Sequence, residues 1–125
     1  MNALLLVAIG GGLGAALRHL FGMGALRLFG DAFPYGTLGV NVLGSLLMGV
    51  LVAVLARSGE GGQALRLLFA TGLLGGFTTF SSFSLDIVAL VERGSVGLAV
   101  LYAFGSLVLA VGALIIGLAV GRLAF

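Results

Sequence analysis

Apolar residues run almost without interruption along this chain, and charged side chains fall between long apolar stretches rather than within them. The uncharged runs cover residues 1–17, 32–56, 67–85 and 94–121. A helix rising about 1.5 Å per residue needs roughly 20 apolar residues to cross about 30 Å of hydrocarbon. The pattern therefore predicts four membrane-spanning helices, at 3–28, 33–56, 64–92 and 95–122. Met1-Asn2 leads straight into Ala3-Leu4-Leu5-Leu6 without a basic start, and the apolar character resumes after Arg18 and His19. Both features fit a retained helix rather than a cleaved signal peptide. Gly30-Asp31, Ser58-Gly59-Glu60-Gly61-Gly62 and Glu92-Arg93-Gly94-Ser95 carry turn chemistry. Connections this short make residues 1–125 a single all-α membrane domain.

One stretch disturbs the helical pattern from inside: Gly72-Leu73-Leu74-Gly75-Gly76-Phe77-Thr78-Thr79-Phe80-Ser81-Ser82-Phe83-Ser84. Adjacent glycines followed by β-branched and hydroxyl residues make a poor helix interior, which predicts that helix 3 is broken near residues 75–79. Non-helical backbone at membrane depth persists only where it is buried in protein or lines an aqueous cavity, and half-helix ends offer carbonyls and amides to ions. A glycine kink satisfied by neighbouring Ser and Thr is the other reading of the same residues.

Phe80 and Phe83 share one face of the second half-helix, with Ser81 and Ser82 beside them. A phenyl ring is positive at its edge. Ring edges and hydroxyls can thus favour an anion without a well so deep that it cannot leave; ordinary packing is the alternative role. Polar side chains recur every four residues at Thr37, Asn41 and Ser45 on the second helix and at Tyr102 and Ser106 on the fourth. The Asn41 amide has N–H groups that can donate to an anion, whereas single Ser and Thr hydroxyls usually bond back to their own helix. Arg18, inside the first apolar segment, either draws anions into a vestibule or snorkels to the interface. Asp86, near the end of the third helix, reads as solvated or Arg-paired.

Composition narrows the class. The chain is 61% hydrophobic and 8% charged, where soluble domains carry about 25% charged residues. Without Cys, and with His19 as the only imidazole, disulfides and Cys or His metal clusters are excluded. Six scattered Arg make no nucleic-acid patch, and no nucleophile and base pair suggests an enzyme. Arg57, Arg66 and Arg122 fall on one side of the predicted membrane and Arg27 and Arg93 on the other, three against two. Arg excess normally fixes orientation, so this near balance predicts dual topology, which permits an antiparallel homodimer. Glycine occurs 23 times, against about 9 at average usage. Gly10 and Gly14, like Gly117 and Gly121, have the spacing for close helix approach, within one chain or against a second subunit.

Three segments together resemble the small fluoride channels called Fluc or CrcB. They are Gly10-Gly11-Gly12-Leu13-Gly14-Ala15-Ala16-Leu17-Arg18, then Gly36-Thr37-Leu38-Gly39-Val40-Asn41-Val42-Leu43-Gly44-Ser45, then Gly75-Gly76-Phe77-Thr78-Thr79-Phe80-Ser81-Ser82-Phe83-Ser84. The resemblance covers all four helices. It implies an antiparallel homodimer in the cell inner membrane that passively exports toxic cytoplasmic fluoride through two pores lined by both subunits. It also implies a structural Na+ at the dimer centre, held by the backbone carbonyls of Gly75 and Thr78 from each chain. Asn41, Phe80 and Phe83 would be pore residues, with polar contacts from Ser81, Ser82 and Thr37. Tyr102 and Ser106 would form the polar track of helix 4, and Arg18 would sit at the vestibule. Position 110 departs from the pattern, being Ala where some relatives carry a hydroxyl. The competing classes are a proton-coupled small multidrug exporter, which needs a membrane-embedded carboxylate that helix 1 lacks, and a non-transporting membrane assembly protein.

Overall fold

The computed structural model describes residues 2–125; Met1, where the expected domain begins, lies outside them. Helix α1 spans Ala3–Phe29 and α2 spans Tyr35–Leu55. A short 3-10 turn at Gly59–Gly62 leads into α3, residues 63–77, whose middle (Arg66–Leu74) winds in wider π-type turns. Helices α4 (Phe80–Glu92) and α5 (Val96–Ala124) follow. Among the described residues, four segments are long and apolar enough to cross a membrane: Ala3–Phe29, Tyr35–Leu55, Gln63–Glu92 and Val96–Ala124. The third of these comprises α3 and α4, and every end falls within two residues of its expected position.

The ends are fixed by local chemistry. Asn2 Oδ1 accepts from the Leu4 amide at 2.7 Å, capping α1. Gly30 and Gly94, with φ of +75° and +82°, terminate α1 and α4 in a region that only glycine enters without strain. Arg93 then ties the two turns together, donating to the Asp31 carbonyl at 3.3 Å and the Ala32 carbonyl at 2.9 Å. At the opposite end of the molecule Arg57 donates to the Arg122 carbonyl, where a cation also complements the C-terminal dipole of α5.

The helices associate as two closely packed pairs, α1 with α3 and α2 with α5. Glycine permits both. A Cβ at Gly14 would overlap the Leu73 carbonyl and lie 2.8 Å from the Phe77 amide nitrogen; one at Gly10 would overlap the Leu68 carbonyl. Across the other pair, a Cβ at Gly117 would overlap the Leu46 carbonyl, and one at Gly121 would lie 2.6 Å from Ala53 Cβ. Both glycine pairs singled out in the sequence are therefore consumed inside one chain, where backbones approach too closely for side chains.

Helix α4 does not continue along α1. It packs on α5 around buried Leu90, Ala99 and Tyr102, with Phe33, Leu38, Phe83 and Ile87 against them. The third span thus begins against α1 and ends against α5, changing partners where α3 meets α4.

Candidate functional site

Thr78 and Thr79 join α3 to α4 in extended conformation, with φ/ψ of −84°/158° and −153°/123°. Gly75 and Gly76 remain helical. A Cβ at Gly76 would overlap the Gly11 carbonyl and meet Gly11 Cα at 3.0 Å, so this glycine serves the approach of α1. The chain leaves helical geometry on the two threonines instead, whose β-branching suits extended backbone.

Side chains from two neighbouring helices hold this junction. From α2, Asn41 Oδ1 accepts from the Thr79 amide at 2.7 Å while Nδ2 donates to the Thr79 carbonyl at 3.0 Å. From α1, Arg18 Nε donates to the Gly76 carbonyl at 3.1 Å. Thr79 Oγ1 accepts from the Ser82 amide at 3.1 Å, capping α4, and lies 3.2 Å from Ser81 Oγ. Thr78 closes α3, its amide and hydroxyl both donating to the Leu74 carbonyl at 3.0 Å. In a continuous helix the Thr79 amide would bond to the Gly75 carbonyl. Asn41 takes that amide, and no donor among the described residues reaches the Thr78 carbonyl.

Two clefts meet at Thr79. One, of about 410 Å³, is lined by Asn41, Ser45, Thr78, Thr79, Phe80, Phe83 and Ser106, with Ala110 beyond Ser106 adding no hydroxyl. The Phe80 and Phe83 rings are 5.6 Å apart, and Phe80 is 78% exposed. Ser106 is 6% exposed, and its hydroxyl has no partner among the described residues. The second cleft, of about 310 Å³, is lined by Arg18, His19, Thr37, Thr79 and Ser82 among others.

The sequence candidates therefore divide. Asn41, Phe80, Phe83 and Ser106 gather at the first cleft, and Arg18, Thr37 and Ser82 at the second. Ser81 is exposed beside Thr79 and lines neither. Tyr102 is 1% exposed and also lines neither: its ring lies tilted 5.2 Å from that of Phe83, and its hydroxyl donates to Asp86 Oδ2 at 2.9 Å. Asp86 is thus neither simply solvated nor Arg-paired. The packing of α4 on α5 brings it a phenol instead. Of the carbonyls expected to bind a cation, that of Gly75 belongs to an exposed residue and that of Thr78 to a half-buried one. Thr79 was missed as a site residue, although a hydroxyl three positions before Ser82 at a helix start is a readable capping signal. Among the described residues no group of three His, Asp or Glu side chains could hold a metal ion.

The family model described as CrcB-like protein, Camphor Resistance, matches residues 5–118. The chain is 56% identical over 124 residues to a protein of Novosphingobium aromaticivorans named fluoride-specific ion channel FluC, covering 98% of each chain. It is 52% identical over 117 residues to the FluC of Agrobacterium fabrum, covering 94% of each. With FluC 2 of Nitrobacter hamburgensis it shares 55% identity over 118 residues, 94% of this chain and 95% of the other. The matched region contains the junction, both clefts and parts of all four spans, so the chain belongs to the CrcB family.

Proposed function

We propose that this chain forms a fluoride-selective channel that passively exports cytoplasmic fluoride across the cell inner membrane. The observation that carries the proposal is the Asn41-held junction beside an open cleft of aromatic rings and hydroxyls, in a chain whose relatives are named fluoride-specific ion channels rather than enzymes. Fluoride is small and strongly hydrated, and it must exchange water for other donors to cross hydrocarbon. One Asn41 N–H is used on Thr79 and the second remains to donate. The Ser106 hydroxyl and the positive edges of Phe80 and Phe83 supply the rest of a weak, multi-point path. Thr37 and Ser82 would offer hydroxyls to the anion at the second cleft, whose vestibule Arg18 lines; Ser81 and Tyr102 act on the path through Thr79 and Phe83.

The working unit is an antiparallel homodimer with two pores. Three observations support it: the near-even distribution of Arg, the exposed Phe80 ring on the cleft, and Gly97, Gly105 and Gly112, whose missing side chains would meet nothing within 4 Å among the described residues. At the two-fold axis the Gly75 and Thr78 carbonyls of both chains would hold a structural Na+. The donor set fits, since backbone oxygens suit a hard cation and these have lost or lack helical donors. Bound there, sodium supplies positive charge at the dimer centre. A proton-coupled multidrug exporter is not favoured, because α1 carries no carboxylate.

Purified protein in fluoride-loaded liposomes should release fluoride rapidly while retaining chloride. Vesicles that hold fluoride, or that lose chloride equally fast, would refute the channel. Replacing Na+ on both sides by a large organic cation should abolish efflux; undiminished flux would remove the sodium site.

A further inference from the structure

We propose that Arg18 is a positioning residue for the third-span junction, and that its work is done by the Nε–H donor rather than by the positive charge. Gly10, Gly14 and Arg18 recur every four residues, which places them on one face of α1. The two glycines bring that face against the α3 backbone at Leu68, Leu73 and Phe77. Arg18, one turn further on, is half-buried and reaches the Gly76 carbonyl at 3.1 Å through Nε.

That carbonyl needs a partner for a specific reason. In a continuous helix it would accept from the Phe80 amide, but extended Thr78 and Thr79 carry that amide away. Arg18 Nε–H replaces it. The bond fixes the last turn of α3 from the α1 side, as Asn41 fixes Thr79 from the α2 side. Gly76 is adjacent to Gly75 and two residues from Thr78, so its peptide plane sets how the neighbouring carbonyls are presented. A residue that served only to attract anions would have no need to spend Nε on a backbone carbonyl.

Donor and charge can be separated because glutamine's amide nitrogen is the same number of bonds from Cα as arginine Nε. Arg18→Gln keeps a donor there and loses the charge; Arg18→Lys keeps the charge and places a methylene there; Arg18→Met has neither. The proposal rests on the channel reading for its assay, which is fluoride efflux from liposomes. Arg18→Gln should stay within about twofold of wild type, and Arg18→Lys and Arg18→Met should each fall about fivefold or more, the size expected for one net hydrogen bond. Fast efflux in Arg18→Lys with loss in Arg18→Gln would overturn the proposal in favour of charge. Equal loss in all three would overturn it in favour of a general structural need for arginine.

If Arg18→Lys does not yield folded protein, the Gln and Met variants still decide, since charge alone predicts that they behave identically. If wild type passes no fluoride, the channel reading fails, and the order of unfolding midpoints in detergent tests the positioning separately. Glutamine above lysine and methionine is then expected, and any other order overturns it.

Discussion

Replacing Asn41 by alanine removes both side-chain bonds to the Thr79 peptide, the 2.7 Å contact from its amide and the 3.0 Å contact to its carbonyl. These are backbone groups, so no rotamer change elsewhere restores them. A net hydrogen bond is worth about 1 kcal/mol, and interhelical bonds within membranes average about 0.6 kcal/mol with a maximum near 1.7. Two such bonds give an expected loss of roughly 1–3 kcal/mol. The loss should appear as a lower unfolding midpoint in mixed detergent titrations, and fluoride efflux from liposomes should fall by about fivefold or more, since about 1.4 kcal/mol is tenfold. Ser45→Ala provides the comparison: Ser45 lines the same cleft but makes no side-chain bond among the described residues, so its midpoint should move by less than about 0.5 kcal/mol. Asn41→Asp keeps the acceptor for the Thr79 amide while losing the donor to its carbonyl and adding a negative charge on the anion path. With two acceptors then facing each other and an unpaired charge at membrane depth, it should be no better folded than the alanine variant and should fail to conduct. If Asn41→Ala matched wild type in both midpoint and efflux, the junction would not depend on its α2 tether.

Two further perturbations test the packing and the aromatic wall. A methyl at Gly44 would overlap Thr78 Cγ2 and approach Phe77 Cδ2 to 3.3 Å, so Gly44→Ala should destabilise by about 1–3 kcal/mol and slow efflux. Thr78→Ser deletes that Cγ2 and should rescue it; a double variant no better than the single would show that the clash is not the cause. Phe80→Ile and Phe83→Ile should each impair efflux while leaving a folded dimer by size exclusion, and unchanged flux in both would remove the ring edges from the pathway.

The glycines illustrate how far local pattern reaches. Gly75 and Gly76 mark the disturbed stretch of the third span because glycine weakens helices. In the folded chain they stay helical, Gly76 lies against α1, and Thr78 and Thr79 carry the extended backbone. Weak helix propensity locates the region, but it cannot say whether a glycine serves flexibility or close approach. That depends on which helix lies opposite.

By itself the sequence determined four helices long and apolar enough to cross a membrane, their ends and the family, because a helix satisfies its own backbone groups in hydrocarbon, and charge and glycine mark where these helices end. It also singled out Asn41, Phe80, Phe83 and Ser106 as candidates, which the fold gathers at one cleft. Tertiary structure decided what those residues touch. Asn41 meets the Thr79 peptide, Arg18 the Gly76 carbonyl, and Tyr102 the carboxylate of Asp86. Those pairs are separated by 38, 58 and 16 residues along the chain. No periodicity within one helix encodes such a contact; it follows from the third span pairing first with α1 and then with α5, which leaves backbone groups at the change of partner for distant side chains to satisfy.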